Sequence, residues 1–153
     1  MKELITTTEQ EKNMGMFTHL GTFLGYFFPF ANLFVPLIIW QSNKESEFLD
    51  KHGKSVMNFQ LSLFLYHLVG LILLLVFFLN NILELIGYNS GSSDNFYNNN
   101  DIEYAGVTII ALFILLFFYF ILQAIYIVTT IIGGIRASKG KLYTYPLSIR
   151  FIR

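Results

Sequence analysis

The sequence predicts an all-α integral membrane protein, a small helical bundle of two long transmembrane helices plus one Pro-broken N-terminal hydrophobic segment. Three observations predict it. Of 153 residues, 54% are hydrophobic and 13% charged, against roughly 25% charged in a soluble domain. A soluble chain of this length buries only about 68–70% of the surface it exposes when unfolded, so much of this apolar surface needs an apolar solvent. Finally, two stretches without Asp, Glu, Lys or Arg, Ser55–Leu83 and Tyr104–Ile135, run for 29 and 32 residues. About 20 apolar residues cross the roughly 30 Å hydrocarbon core. Both stretches therefore suffice with tilt or overhang.

The first apolar segment, 16–41, differs. It reads MFTHLGTFLGYFFPFANLFVPLIIWQ. Pro29 and Pro36 lack a backbone donor and disfavour helix before them, and Asn32 favours a turn. These three are the expected hinge, with a break near Phe28–Asn32. Two topologies fit 26 residues: one kinked span, or a re-entrant hairpin with both ends on one side. Two full straight spans need about 40 residues and are excluded. The stretch is too long for a signal peptide, and no clear small-residue cleavage site follows it.

Charge predicts orientation. Residues 80–103 hold Glu84, Asp94, Asp101 and Glu103 with no Lys or Arg, and NSGSSDNFYNNN within them reads as a flexible loop. Lys44, Lys51 and Lys54 lie in the linker, and Arg136, Lys139, Lys141, Arg150 and Arg153 in the tail. Lys and Arg are retained on the cytoplasmic side. The expectation is a single membrane domain, multi-pass, with a cytoplasmic C-terminus. Its parts are a polar start (1–15), the broken segment (16–41), a cytoplasmic linker (42–54), a span (55–83), an external acidic loop (84–103), a second span (104–135) and a basic tail (136–153). Lys2 and Lys12 favour an inside N-terminus weakly, which requires the hairpin form.

Helices in lipid associate through small residues and interhelical hydrogen bonds. Gly21 and Gly25 form a small-xxx-small pair. On the last helix Thr108, Tyr119, Gln123, Tyr126, Thr130 and Gly133 share a stripe at about 100° per residue. The preceding helix carries Ser55, Asn58, Ser62 and Tyr66 on one side and Gln60 with His67 nearly opposite. One of these sides is expected to meet Gln123. The expected packing residues are thus Gly21, Gly25, Asn58, Ser62, Tyr119, Gln123, Tyr126, Thr130 and Gly133.

Gly140 after Lys139 reads as a helix stop. Beyond it, Tyr143 and Tyr145 suit the headgroup region, and a short extended segment from Leu147 is expected at the interface. Arg136, Lys139, Lys141, Arg150 and Arg153 are the expected contacts with lipid headgroups or a partner.

Catalytic signals are lacking. There is no cysteine, hence no thiolate chemistry or cysteine metal site. His19 and His67 lie in apolar segments and His52 in the linker. None has a carboxylate or histidine three or four residues on, so hydrogen-bonded neutral imidazoles are expected rather than ligands. No nucleophile triad or phosphate loop is legible. The reading is no enzyme, no cofactor, no metal, no nucleic-acid partner and no identified small-molecule substrate. The partners expected are the bilayer and a membrane protein or second copy.

Three blocks, NLFVPLIIW, DKHGKSVMNFQLSL and KGKLYTYPLSIRFIR, resemble a widespread family of small bacterial membrane proteins of unknown function. That family is similar to the twenty-kilodalton Tic subunit of the chloroplast inner-envelope protein translocon. The resemblance implies a helical bundle in the cytoplasmic membrane and no catalytic residues. The functional expectation is a non-enzymatic assembly or accessory module. The alternatives are a transport or translocation component, motivated by the broken segment and the translocon likeness, and an anionic-lipid-binding protein.

Overall fold

The computed structural model describes residues 7–90 and 99–153, and the side chains of 7–82 and 106–153. Among the described residues the fold is all-helical: α1 (Glu9–Leu20), a 3-10 helix (Gly21–Tyr26), α2 (Ala31–Ser42), α3 (Glu47–Ser90) and α4 (Asn99–Ser138). The chain forms two compact units. One comprises Met1–Leu65 with Ile125–Arg153, and the other Tyr66–Ala124.

Each helix starts earlier than composition suggests. The expected polar start is helical from Glu9, because Thr8 and Glu11 form a reciprocal capping box. The expected linker is helical from Glu47. Acidic Glu47 and Asp50 suit that end of α3. The ion pairs Glu47–Lys51 and Asp50–Lys54, at 2.6 and 2.7 Å, join consecutive turns. The charges that read as a linker are thus helix-forming pairs. At its far end α3 continues to Ser90, as the apolar spacing of Ile82, Leu83, Leu85 and Ile86 allows. Residues 91–98, the centre of the expected loop, lie outside the described residues.

In the first unit, α1 and the 3-10 helix fold back against α2. The chain turns at Phe27–Phe30, where Phe30 takes φ 63° and Phe27, Phe28 and Phe30 are exposed. Pro29 falls in this turn, whereas Pro36 lies inside α2 and does not end it. A Cβ on Gly21 would meet Val35 at 2.7 Å, and one on Gly25 would meet Asn32 at 2.7 Å. The two arms are therefore antiparallel and nearly touching. Their open ends are joined where Ser46 Oγ donates to Glu11 Oε1 at 2.5 Å. The first hydrophobic segment thus folds into two packed arms whose open ends lie together. Its second arm has 12 residues, about 18 Å, too short to cross a bilayer.

Two helices, Glu47–Ile82 and Gly106–Ser138, are long and apolar enough to cross a membrane. Only 11% and 6% of their most apolar windows are buried within the protein. A core helix of a soluble protein would be mostly covered.

In the second unit Thr108 Oγ1 donates to Asn81 Oδ1 at 2.7 Å, and Gln123 Nε2 lies 3.4 Å from His67 Nε2. Contacts move up α3 as they move down α4, so these segments are antiparallel. The His67 side of α3 therefore meets the Gln123 stripe.

α4 stops where Gly140 takes φ 67°, with Lys141 N–H donating to Arg136 O at 2.9 Å. The tail beyond returns along α3. α3 side chains take up its backbone polar groups.

Candidate functional site

The interior of the first unit is polar at its centre. His19 comes from the last turn of α1 and His52 from the second turn of α3, while Tyr145 comes from the tail. His19 and His52 are fully buried, and Tyr145 is 4% exposed. Tyr145 OH lies 2.6 Å from His19 Nδ1, and His19 Nε2 lies 2.7 Å from His52 Nδ1. Burial holds the Tyr145 phenol well above the usual tyrosine range, so it keeps its proton. The tautomer of a neutral His19 sets both bonds together: accepting at Nδ1 means donating at Nε2, and the other tautomer reverses the two. His52 Nε2 is buried beside the Lys141 backbone without a well-formed hydrogen bond.

Close packing fixes these rings. Tyr145 stacks on Phe59 at 4.1 Å and 11°, and Phe48 meets the His52 ring edge-on at 4.4 Å. A Cβ on Gly133 would come within 2.6 Å of His19 Nδ1, so α4 must present a glycine there. Gly53 admits Trp40 in the same way: an added Cβ would lie 2.2 Å from the indole. Trp40 Nε1 then donates to Asp50 Oδ1 at 2.9 Å.

A second feature is the seam between α3 and the tail. Ser55 Oγ donates to Tyr143 O at 2.7 Å. Ile149 N–H donates to Ser62 Oγ at 2.7 Å. Asn58 Oδ1 accepts from Phe151 and Ile152 at 3.0 and 2.7 Å, and its Nδ2 donates to Ile152 O at 2.9 Å. The chain turns at Pro146–Leu147, with Leu147 at φ 61°. Arg136 sits over the Tyr143 ring at 5.6 Å.

The expected packing residues thus separate. Asn58 and Ser62 hold the tail, not another helix. Gly21 and Gly25 are filled by α2, so that face is used within the chain. Gln123 faces His67, and Tyr119 meets the His67 ring edge-on at 5.8 Å. Tyr126 stacks on Phe59 at 6.3 Å. Thr130 and Gly133 are buried in the first unit. Asn32, expected as a hinge, donates to Gln60 Oε1 at 3.1 Å. Arg136, Lys139, Lys141, Arg150 and Arg153 are all exposed.

The His19–His52–Tyr145 network escaped sequence reading because its partners are 33 and 126 residues apart. No local spacing announces it. Chemically it is a chain of neutral groups with no carboxylate. The facing histidine nitrogens are 2.7 Å apart, which leaves no room for an ion between them, since two bonds of about 2.0–2.1 Å in line would need about 4 Å. Among the described residues no group of three or more His, Asp or Glu side chains is placed to hold a metal.

A family model described as the magnetosome magnetite crystal formation protein family, MamF/MmsF, matches residues 10–152. No curated protein and no solved structure matches the chain. The match overturns the likeness to the translocon subunit and to a family of unknown function. The three blocks behind that likeness all fall within residues 10–152 or end one residue beyond, and apolar helix patterns are shared by unrelated membrane proteins. The chain belongs to the MamF/MmsF family of magnetosome magnetite crystal formation proteins.

Proposed function

We propose that this protein is a non-enzymatic membrane component of magnetite crystal formation. It crosses the bilayer with α3 and α4, and presents the acidic segment between them to the compartment where the crystal grows. The observation that carries this reading is charge asymmetry joined to family membership. Residues 80–103 contain four carboxylates and no cation, whereas five cations follow α4. The positive-inside rule puts these two ends on opposite sides. The antiparallel arms α1 and α2 support an N-terminus on the same side as the basic tail. Carboxylate oxygens are hard donors suited to hard cations, so the acidic side is the one chemically fitted to an iron oxide surface. Inside the first unit, buried polar groups are turned toward one another, which suits a scaffold.

The test is a quadruple exchange, Glu84→Gln, Asp94→Asn, Asp101→Asn and Glu103→Gln, in a magnetite-forming cell that depends on this chain. Crystal size or shape, measured by electron microscopy, should move toward that of cells lacking the protein, with membrane abundance unchanged. Crystals identical to wild type at equal abundance would overturn the mineral-facing role of this segment.

A further inference from the structure

We propose that the tail is a pre-organised clasp for anionic phospholipid, with Arg150 and Arg153 gripping headgroup phosphates while Leu147, Ile149 and Phe151 enter the acyl boundary. This rests on the membrane reading above but not on the mineral-facing segment.

The path of the tail is the first argument. Its backbone is bonded to α3 at Ser55 from Tyr143, at Ser62 from Ile149, and at Asn58 from Ile152. It therefore descends along α3 and returns. Ser62 lies seven residues past Ser55, about 10 Å along the helix, and Ser55 follows the last charged residue of that stretch, Lys54. The turn at Pro146–Leu147 thus reaches below the charged collar of α3. Irregular backbone is tolerated at such depth only when its polar groups are satisfied by protein. Asn58 and Ser62 supply those partners.

What the tail leaves outward is the second argument. Leu147, Ile149 and Phe151 are 57%, 40% and 49% exposed, and Phe64 and Leu65, two and three residues past Ser62 on α3, are exposed as well. Arg150 and Arg153 are interleaved with them and exposed. Among the described residues the ion pairs are Glu9–Lys12, Glu47–Lys51 and Asp50–Lys54, and none uses Arg150, Arg153, Lys139 or Lys141. Unpaired guanidinium groups beside an apolar surface at the edge of a span complement a phosphate-bearing lipid. The planar fork binds phosphate oxygens in pairs, and the aliphatic stems lie along the acyl chains.

The experiment places the full chain in nanodiscs of equal phosphatidylglycerol and phosphatidylcholine and counts retained lipids by native mass spectrometry. Wild type should retain phosphatidylglycerol preferentially, also with millimolar inorganic phosphate present. Arg150→Gln with Arg153→Gln should reduce that preference about 25-fold, since each surface cation contributes about a fivefold factor. Arg150→Lys with Arg153→Lys should keep most of it. Asn58→Leu should also reduce it, with every cation retained, because the clasp is released. Should Asn58→Leu lose helix content, Ser62→Ala, which removes the Ile149 bond and the hydroxyl's bond to the Asn58 carbonyl, takes its place. Equal retention of both lipids by wild type, or full preference in the double Gln variant, would overturn the proposal. Full preference in a folded Asn58→Leu chain would overturn the pre-organisation. Loss of preference to inorganic phosphate would mean a free-anion site instead. A chain that stays out of the discs would overturn the membrane reading and this proposal together.

Discussion

Asn58 binds Ile152 through both ends of its carboxamide, accepting the backbone N–H at 2.7 Å and donating to the carbonyl at 2.9 Å. One side chain on a helix thereby does what a neighbouring strand would do for an extended segment. Together with the Phe151 N–H it makes three bonds to the tail. Asn58→Ala should lower the unfolding free energy in detergent by about 2–4 kcal/mol, at roughly 1 kcal/mol per bond. Protease cleavage within residues 147–153 should quicken at the same time. An unchanged cleavage rate would mean that Asn58 is not what holds the tail.

The His19–Tyr145 bond predicts coupled stability. Tyr145→Phe keeps the stack on Phe59 but strands His19 Nδ1, costing about 1–3 kcal/mol. His19→Phe strands the tyrosine hydroxyl and His52 together and should cost at least as much. In the double variant the two losses should fall short of additivity by about 1 kcal/mol, the behaviour of residues in one network. Thermal unfolding of the four proteins gives the cycle, and strict additivity would show that the bond contributes nothing.

Two glycines on α3 should respond in opposite ways to one methyl group. An added Cβ at Gly53 meets the Trp40 ring at 2.2 Å, while at Gly70 nothing lies within 4 Å. Gly53→Ala should destabilise by about 1–3 kcal/mol through overpacking. Gly70→Ala should be neutral or stabilising by up to about 1 kcal/mol, since alanine is the better helix former. Shifts in the thermal midpoint report both.

Acid should loosen the start of α1. Glu11 accepts from Ser46 Oγ and from the Thr8 N–H and hydroxyl, and these bonds hold its carboxyl below the usual value of 4.5. A depressed carboxyl contributes stability above its unfolded value and loses it as pH falls through the folded one. Amide exchange in residues 8–14 should therefore accelerate below the ordinary carboxylate range. Glu11→Gln should remove that acid dependence, and an identical pH profile in the variant would refute the assignment.

How much of this was legible can be judged residue by residue. The apolar cores of α3 and α4 follow from uninterrupted hydrophobicity, a property that needs no partner. The start of α3 was hidden because Glu47, Asp50, Lys51 and Lys54 read as a solvated linker, although their four-residue spacing pairs them on a helix. The stripe of Ser55, Asn58 and Ser62 was visible, but its partner was not. A polar helix face announces that something binds there, and only the fold shows that the occupant is backbone from residues 143–152. The His19–His52–Tyr145 network was invisible for the same reason, since its members meet only after three segments, α1, α3 and the tail, have come together.

That last network also sets a clock. His19 is made early, yet the hydroxyl that pairs with it belongs to residue 145. A ribosome working from the N-terminus delivers α1, α2 and the first turns of α3 long before the tail exists. Through that interval His19 and His52 lack the hydroxyl that completes their network. The hairpin at the front of the chain is therefore an unfinished part, completed only when the final stretch threads back beside α3 and closes it.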